Sequence, residues 1–286
     1  MKSRLFLLFL FVLPFASISS QEINHEQRQN NFVQIIGDDA ALIYASDRKG
    51  NLNKDYYYLT GDTNKQNTIL FSKDAIIHFK EDGEKSLRQF YREISSFHRE
   101  NQLWISFSNL QTYDDLLYFF SSKPALSNTD LVFYQLRDIK DKVEQEVITK
   151  SVAISAESYN HIFRTLNPGM TENEIIDQFK KIQIELEAES TSFFQAGSGV
   201  NGTQVHADPS DKIVKPYDMI VFDVGVWYKK CTSDISRTVP ANGTIDKYQK
   251  QIYTIVLEAQ KAGIKDMKVG AIMGDVQQIV EDKLID

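Results

Sequence analysis

Cysteine, basic charge and long apolar runs are all scarce in this sequence of 286 residues. The single cysteine, Cys231, excludes an intrachain disulfide framework. Asp and Glu (39) outnumber Lys and Arg (32), so the chain has no basic surplus to meet nucleic-acid phosphates. After residue 20, no apolar stretch is long enough to cross a membrane. We therefore expect no disulfide scaffold, no nucleic-acid partner and no permanent membrane anchor.

The first 20 residues have the pattern of a secretory signal peptide. Lys2 and Arg4 precede an apolar run at 5–16, and small serine residues follow it. An uncleaved amphipathic anchor is the alternative. The signal-peptide interpretation places the start of the mature protein near Gln21 and predicts export to the periplasm or the extracellular space.

Residues 25–137 alternate between strand-like and helix-like segments, which is typical of an α/β domain. Strands are predicted at 41–45, 68–71, 75–79, 103–107 and 131–134, and helices at 86–98 and 110–120. A charged stretch at 137–144 marks the boundary to a second domain. We therefore predict a signal peptide at 1–20, an N-terminal domain at 21–137 and a second domain at 138–286.

The second domain is predicted to mix helices with a β-hairpin. A long helix ends before Asn167, and Thr171 and Glu174 then form a capping box that starts the next helix. The remaining predicted elements are a flexible Gly-rich loop at 197–202, a hairpin at 219–228 and 232–239, and helices at 247–263 and from 271 onward. Within the helix at 247–263, the residues expected on the buried side are Ile252, Ile255, Val256 and Ala259.

Two aspartates in apolar surroundings, Asp223 and Asp234, are the strongest functional signal. A carboxylate in an apolar strand is unfavourable unless something positive meets it. If the hairpin turn centres between Tyr228 and Lys229, the two aspartates lie directly opposite each other with Cβ atoms about 5 Å apart. Divalent cations between them would relieve their repulsion. The alternative is that each aspartate caps a turn or pairs with Arg237.

Short motifs along both predicted domains carry a resemblance to a known family. They are Asp55-Tyr-Tyr-Tyr-Leu-Thr-Gly61, Arg137-Asp-Ile-Lys140, Pro168-Gly-Met-Thr-Glu172, Ser198-Gly-Val-Asn201, His206, Asp223-Val-Gly225, Ser233-Asp-Ile-Ser-Arg-Thr238 and Asn242-Gly243. Together they resemble the aminopeptidase P and prolidase family of metallopeptidases. The resemblance implies a creatinase/prolidase-like α/β N-terminal domain followed by an incomplete α+β pita-bread catalytic domain.

The resemblance also implies a chemistry. Asp223 and Asp234 would bind two divalent metal ions, usually Mn²⁺ and sometimes Zn²⁺ or Co²⁺, with one aspartate bridging both ions. A metal-bound hydroxide would then attack the carbonyl of an Xaa-Pro bond. His206 matches the family histidine that contacts the substrate and stabilises the tetrahedral intermediate. One departure is Ala207, where the family often has tyrosine.

A second departure concerns the remaining ligands. The family takes a further His and two Glu ligands from sequence beyond the second aspartate, and neither Glu258 nor Glu281 has the family's flanking residues. We therefore expect a C-terminally truncated Xaa-Pro aminopeptidase that is inactive as it stands. Its substrates would be peptides with proline at the second position, and the full-length protein would be a homodimer. The alternatives are an Xaa-Pro dipeptidase, an enzyme acting on non-peptide C–N bonds, and a non-catalytic binding module.

Overall fold

The chain divides into two compact units, residues 1–146 and residues 147–286. The computed structural model describes residues 23–45, 51–65, 67–72, 76–80, 103–105, 126–206 and 208–285. The division falls nine residues after the predicted boundary at 137/138. Independent folding of the N-terminal domain stays a prediction.

The described part of the first unit centres on a five-stranded mixed sheet. Its strands are β1 (Ala40–Tyr44), β2 (Asn67–Phe71), β3 (Ile76–Lys80), β4 (Leu103–Ile105) and β5 (Leu126–Asn128). The spatial order is β3-β2-β1-β4-β5. The pairs β1–β2 and β2–β3 are antiparallel, whereas β1–β4 and β4–β5 are parallel. The mixture of parallel pairs and helices agrees with the predicted α/β class.

Three described helices accompany this sheet: α1 (His25–Ile36), α2 (Lys54–Thr60) and α3 (Thr129–Asp138). An asparagine side chain caps each of them by accepting a backbone N–H of the first turn. Two of the motifs that carry the family resemblance meet in this unit, because Arg137 Nη1 lies 2.9 Å from Asp55 Oδ1. The ion pair joins the start of α2 to the end of α3.

The strand predicted at 131–134 is wrong, because these residues lie inside helix α3. The side chain of Asn128 accepts the N–H of Asp130 and starts the helix. Leu131 is 63% exposed, whereas the next two residues, Val132 and Phe133, are both buried. That burial follows the helical period rather than the alternation of a strand. The helices predicted at 86–98 and 110–120 lie outside the described residues.

The second unit combines helices with a small antiparallel sheet. Its helices are α4 (Lys142–Thr165), which crosses the division, α5 (Glu172–Glu185), α6 (Lys247–Asp266) and α7 (Met273–Ile285). Its strands are β6 (Ser190–Ser198), β7 (Met219–Tyr228), β8 (Cys231–Thr232) and β9 (Ile235–Pro240). Strand β7 is central, with β6 on one side and β8 and β9 on the other. The predicted capping box of Thr171 and Glu174 is confirmed at the start of α5.

One face of β7 packs against helices α4 and α5. Phe222 and Val224 are fully buried there, together with Tyr159 of α4 and Phe179 of α5. The Phe179 and Phe222 rings lie 5.6 Å apart at an interplanar angle of 62°, an edge-to-face arrangement. Because strand side chains alternate between faces, Asp223 points away from this core.

The burial predicted for helix α6 is wrong for Ile252 and Val256, which are both exposed. Helix α6 packs instead through Gly263, where an added Cβ would lie 2.7 Å from Val280 of α7. Ala259, on the same side of the helix, is buried as predicted. Within the described residues, no helix has both the length and the apolar character that a membrane span requires.

Candidate metal centre

Asp223 occupies the middle of β7 between two polar neighbours. It pairs with Gln195 of β6 on one side and with Ser236 of β9 on the other. The Ser236 hydroxyl donates to Asp223 Oδ1 at 2.8 Å. Paired residues of antiparallel strands share a face, so these three side chains lie on the sheet face away from the helices.

The predicted direct opposition of Asp223 and Asp234 is wrong by two residues. The two-residue turn is Lys229-Lys230, both with positive φ (45° and 62°), so Tyr228 pairs with Cys231. The same register continues to Asp223 opposite Ser236. The aspartates are therefore diagonal neighbours, for which an antiparallel sheet gives a separation of about 7–8 Å rather than about 5 Å.

Asp234 lies on the same face as Asp223, as predicted. It is exposed between Ser233, which is buried, and Ile235, which packs against the core, so the backbone alternates across this segment. Among the described residues, neither carboxylate forms an ion pair with a Lys or Arg. Arg237, the alternative partner, donates instead to the carbonyl oxygen of Ser236 at 2.7 Å.

Two contacts from helix α4 fix the segment that carries Asp234. Ser155 Oγ lies 2.7 Å from Ser233 Oγ, and the Tyr159 hydroxyl donates to the carbonyl oxygen of Ile235 at 2.5 Å. Burial, and then the negative charge of Asp223, raise the pKa of the Tyr159 hydroxyl. Tyr159 is therefore a neutral donor at physiological pH, and its hydrogen bond fixes the backbone at Ile235, the residue after Asp234.

His206 is exposed on a loop, two residues after Gln204, with φ of 58°. Gln195, the strand partner of Asp223, fastens that loop by donating its Nε2 to the carbonyl oxygen of Gln204 at 2.9 Å. The Gly-rich segment before it is more ordered in secondary structure than predicted. Gly197 and Ser198 end β6, and Gly199–Thr203 forms one 3-10 turn.

A buried carboxylate for which the sequence predicted no role lies beneath this loop. Glu172 is fully buried at the start of α5 and accepts hydrogen bonds from Ser198, Asn201 and Ser210. Burial alone would raise the pKa of Glu172, but these hydrogen bonds outweigh it and the pKa is lowered. The motif Pro168-Gly-Met-Thr-Glu172 was a signal of this role, but its partners are far away in sequence.

The donor set on the exposed face suits hard divalent cations. It consists of the carboxylates of Asp223 and Asp234 and the hydroxyl of Ser236, all oxygen donors. Within the described part of the chain, no group of three or more His, Cys, Asp or Glu side chains is placed to hold a metal ion. The two aspartates thus fit as part of a ligand set.

Comparison with known proteins identifies the family. Residues 146–286 match the sequence model of metallopeptidase family M24. This region of the chain belongs to the M24 family. The M24 match begins at helix α4 and includes β7, β9 and both aspartates. The resemblance to aminopeptidase P and prolidase is thereby confirmed at the level of the family.

Two curated relatives of this M24 protein illustrate the similarity in sequence, and both are described as peptidases. One is the uncharacterized peptidase YqhT of Bacillus subtilis, 28% identical over 151 residues, which are 52% of this chain and 42% of that protein. The other is an Xaa-Pro dipeptidase of Pyrococcus furiosus, 31% identical over 154 residues, which are 54% of this chain and 44% of that protein. The matched region thus spans less than half the length of these relatives.

Solved structures share the fold of this M24 protein over most of its length. The X-Pro aminopeptidase of Thermotoga maritima has a TM-score of 0.77 at 22% identity, over 90% of this chain and 77% of that one. The prolidase of Thermococcus sibiricus has a TM-score of 0.78 at 23% identity, over 92% and 78%. At such identities the likeness concerns the fold, and it is consistent with the predicted pita-bread domain.

Proposed function

We propose that the protein is a metal-dependent Xaa-Pro aminopeptidase, which releases an N-terminal residue that precedes proline. The observation that carries the proposal is the common sheet face of Asp223 and Asp234. These two carboxylates have no cationic partner among the described residues, and they lie in an M24 domain. Core packing of Phe222, Val224 and Ile235 holds the backbone on either side of these carboxylates.

Each residue of the centre has a distinct part in this proposal. Divalent cations, when bound, polarise a substrate carbonyl and increase the acidity of water. Asp223 and Asp234 would hold these cations, and Ser236 orients the Asp223 carboxylate through its 2.8 Å hydrogen bond. His206, exposed on its loop, would donate a hydrogen bond to the oxygen that becomes negative as the peptide carbonyl is attacked.

The proposed cofactor is a pair of divalent ions, with Mn²⁺ preferred over Zn²⁺ and Co²⁺. Carboxylate and hydroxyl oxygens favour the harder cation, which supports Mn²⁺. Asp223 and Asp234 alone make an incomplete ligand set, because the family resemblance implies five ligands. We therefore expect the 286-residue chain to bind Mn²⁺ weakly and to hydrolyse Xaa-Pro peptides poorly.

The second candidate function is that of an Xaa-Pro dipeptidase. It is favoured by the 31% identical relative from Pyrococcus furiosus, which is described as an Xaa-Pro dipeptidase. The two activities differ in substrate length. An aminopeptidase cleaves Xaa-Pro peptides of three or more residues, whereas a dipeptidase prefers Xaa-Pro alone. Comparing the two substrates at equal concentration separates these candidates.

The proposal extends to the surroundings of the enzyme. Its partners would be peptides with proline at the second position, and the full-length protein would be a homodimer. The signal-peptide pattern at 1–20 supports export to the periplasm or the extracellular space. Those residues lie outside the described part of the chain.

The test uses the longest form of the protein that its gene encodes, purified with Mn²⁺. Asp223→Asn and Asp234→Asn should each abolish turnover and lower the metal content, because each removes a charge that the cations need. His206→Ala should keep the metal and lower kcat about 100-fold. Asp177→Asn is the matched control, since Asp177 is an exposed carboxylate of α5 whose ion pair is with Lys180.

Two outcomes would contradict the proposal. Retained turnover and metal content in Asp223→Asn and Asp234→Asn would remove these residues from the site. A wild-type protein that takes up no metal and binds Xaa-Pro peptides without cleaving them would favour the binding-module alternative.

A further inference from the structure

The Glu172 carboxylate accepts six hydrogen bonds within the described part of the second unit. Its Oε1 accepts the Ser198 N–H and the Ser198 hydroxyl, both at 2.8 Å. Its Oε2 accepts the Ser210 N–H at 3.2 Å and the Ser210 hydroxyl at 2.7 Å. Asn201 Nδ2 contacts both oxygens, at 3.1 Å and 3.0 Å. One buried side chain thus binds three separate points of the 198–210 segment.

These three points enclose the loop that carries His206. Ser198 ends strand β6, Asn201 lies in the 3-10 turn, and Ser210 follows His206 by four residues. Glu172 itself belongs to the first turn of α5, whose capping box fixes its backbone. The loop is therefore fastened at both ends to the rigid start of a helix.

A separate contact fastens the loop on the opposite face of the sheet. Ser198 and Glu172 lie on the helix side, where both are fully buried. Gln195 shares its face with Asp223 and holds the carbonyl oxygen of Gln204 at 2.9 Å. The segment thus passes from the Glu172 anchor to the face of the two aspartates, and His206 follows the attachment at Gln204 by two residues.

The anchor depends on a carboxylate rather than on any polar group of the same size. Two of its donors are backbone N–H groups, of Ser198 and Ser210, and each faces a different oxygen of Glu172. A glutamine would turn an NH₂ group toward one of these N–H groups in either orientation. The Lys212 ammonium donates to the Ser198 hydroxyl and lies 3.1 Å from Asp218 Oδ2, so positive charge also lies beside the anchor.

We propose that Glu172 is a positioning residue for His206. It fixes the 198–210 segment so that the imidazole lies over the face of Asp223 and Asp234, and it touches no substrate. The effect on turnover rests on the proposed function, because it assumes the role given there to His206. The effect on the loop itself does not rest on the proposed function.

The test compares Glu172→Gln with Glu174→Gln. Both remove one acidic charge from the first turn of α5, but glutamine can replace glutamate in a capping box, so the second variant keeps the helix start. The first readout is backbone amide hydrogen exchange at Ser198 and Ser210. Glu172→Gln should speed it about 10-fold or more, because an acceptor is lost and a donor clash is introduced, whereas Glu174→Gln should leave it unchanged.

The second readout is the NMR signal of the His206 imidazole, which should shift or broaden in Glu172→Gln alone. The third is turnover of an Xaa-Pro peptide, for which kcat should fall about 10-fold or more with KM and metal content unchanged. If Glu172→Gln does not fold, Ser210→Ala removes one donor of the same anchor and should show the same effects to a smaller degree.

The outcomes separate the two proposals. Unchanged exchange and an unchanged His206 signal in both Glu172→Gln and Ser210→Ala would overturn the positioning role. A perturbed loop with unaltered kcat would overturn it too, because the loop position would not matter for turnover. Absence of turnover in the longest form of the protein that its gene encodes would refute the proposed function, while the exchange and imidazole readouts would still decide whether Glu172 fixes His206.

Discussion

Gly225→Ala should destabilise the second unit and weaken the metal centre together. Gly225 lies on β7 two residues after Asp223, beside the segment that leads into Asp234. An added Cβ would lie 2.2 Å from the carbonyl oxygen of Ser233 and 2.5 Å from Ser192 Oγ. Because the first of these is backbone, the strand itself must move by roughly 1 Å to restore ordinary contact.

The size of the effect follows from what holds Ser233 in place. The Ser233 N–H donates to the carbonyl oxygen of Val226 at 3.2 Å, and the Ser233 hydroxyl contacts both the Val226 N–H and Ser155. Overpacking costs about 1–3 kcal/mol. Each buried hydrogen bond lost adds about 1 kcal/mol. We therefore expect a loss of about 2–4 kcal/mol in the free energy of unfolding.

The assay can follow the second unit alone. The chain has two tryptophans, Trp104 in the first unit and Trp227 on β7, so Trp104→Phe leaves a reporter only in the second unit. In that background, Gly225→Ala should lower the urea midpoint by about 1–2 M for an m-value of ~2 kcal/mol per M. Its affinity for Mn²⁺ should fall as well, because the displaced strand carries Asp234.

Gly274→Ala is the matched control for this experiment. Gly274 lies in α7, and a Cβ added there meets nothing within 4 Å. The same substitution should therefore leave the stability unchanged or raise it by up to about 1 kcal/mol. A Gly225→Ala protein with the wild-type midpoint and the wild-type Mn²⁺ affinity would refute the packing that we describe around the metal centre.

Three further predictions concern acid stability, domain structure and export. The pKa of the Glu172 carboxyl is lowered from 4.5, so the stability that this carboxylate contributes is complete above pH 4.5 and is lost as the pH falls through the lower pKa of the folded state. The wild-type protein should therefore lose more stability than Glu172→Gln between pH 7 and pH 3.5, and equal losses would contradict this. Residues 25–137 expressed alone should unfold cooperatively in urea, whereas a broad transition would argue against the predicted domain. Exported protein should begin near Gln21 on N-terminal sequencing, and material that begins at Met1 would exclude cleavage.

The sequence was sufficient to predict the hairpin but not its register. The segments 219–228 and 232–239 were predicted as the two strands of a hairpin, and the first is confirmed as β7. The second is divided into β8 and β9, and Asp234 lies between them. The position of the turn depends on the two residues with positive φ, Lys229 and Lys230. Lysine is not a typical residue of such a turn, so nothing local marked it. The error moved the predicted partner of Asp223 from Ser236 to Asp234.

Local sequence patterns also gave wrong predictions where tertiary contacts determine the secondary structure or the burial of a residue. The apolar run at 131–134 fits a strand or a helix, and only the Asn128 cap and the packing of Phe133 against Phe32 select the helix. The stripe on α6 has the right period, yet Val256 is exposed. Periodicity predicts which residues share a face and leaves open what that face contacts.

The Glu172 anchor was beyond sequence reasoning for a different reason. Thr171 and Glu174 are recognised as a capping box because their partners lie three residues apart. The partners of Glu172 lie 26 and 38 residues away, at Ser198 and Ser210. No local spacing encodes such a contact, so the motif indicated importance without indicating a role.

The most direct test of the central claim is an NMR titration of the protein with Mn²⁺, whose paramagnetism broadens the signals of nearby nuclei. At low Mn²⁺ the amide signals of Gly225 and Ser236 should broaden first, even if binding is weak, because they lie beside the two aspartates. Asp223→Asn and Asp234→Asn should each abolish this early broadening, and Asp177→Asn should not. Early broadening elsewhere in the chain, or broadening at Gly225 and Ser236 that survives both substitutions, would contradict a shared metal site on this sheet face.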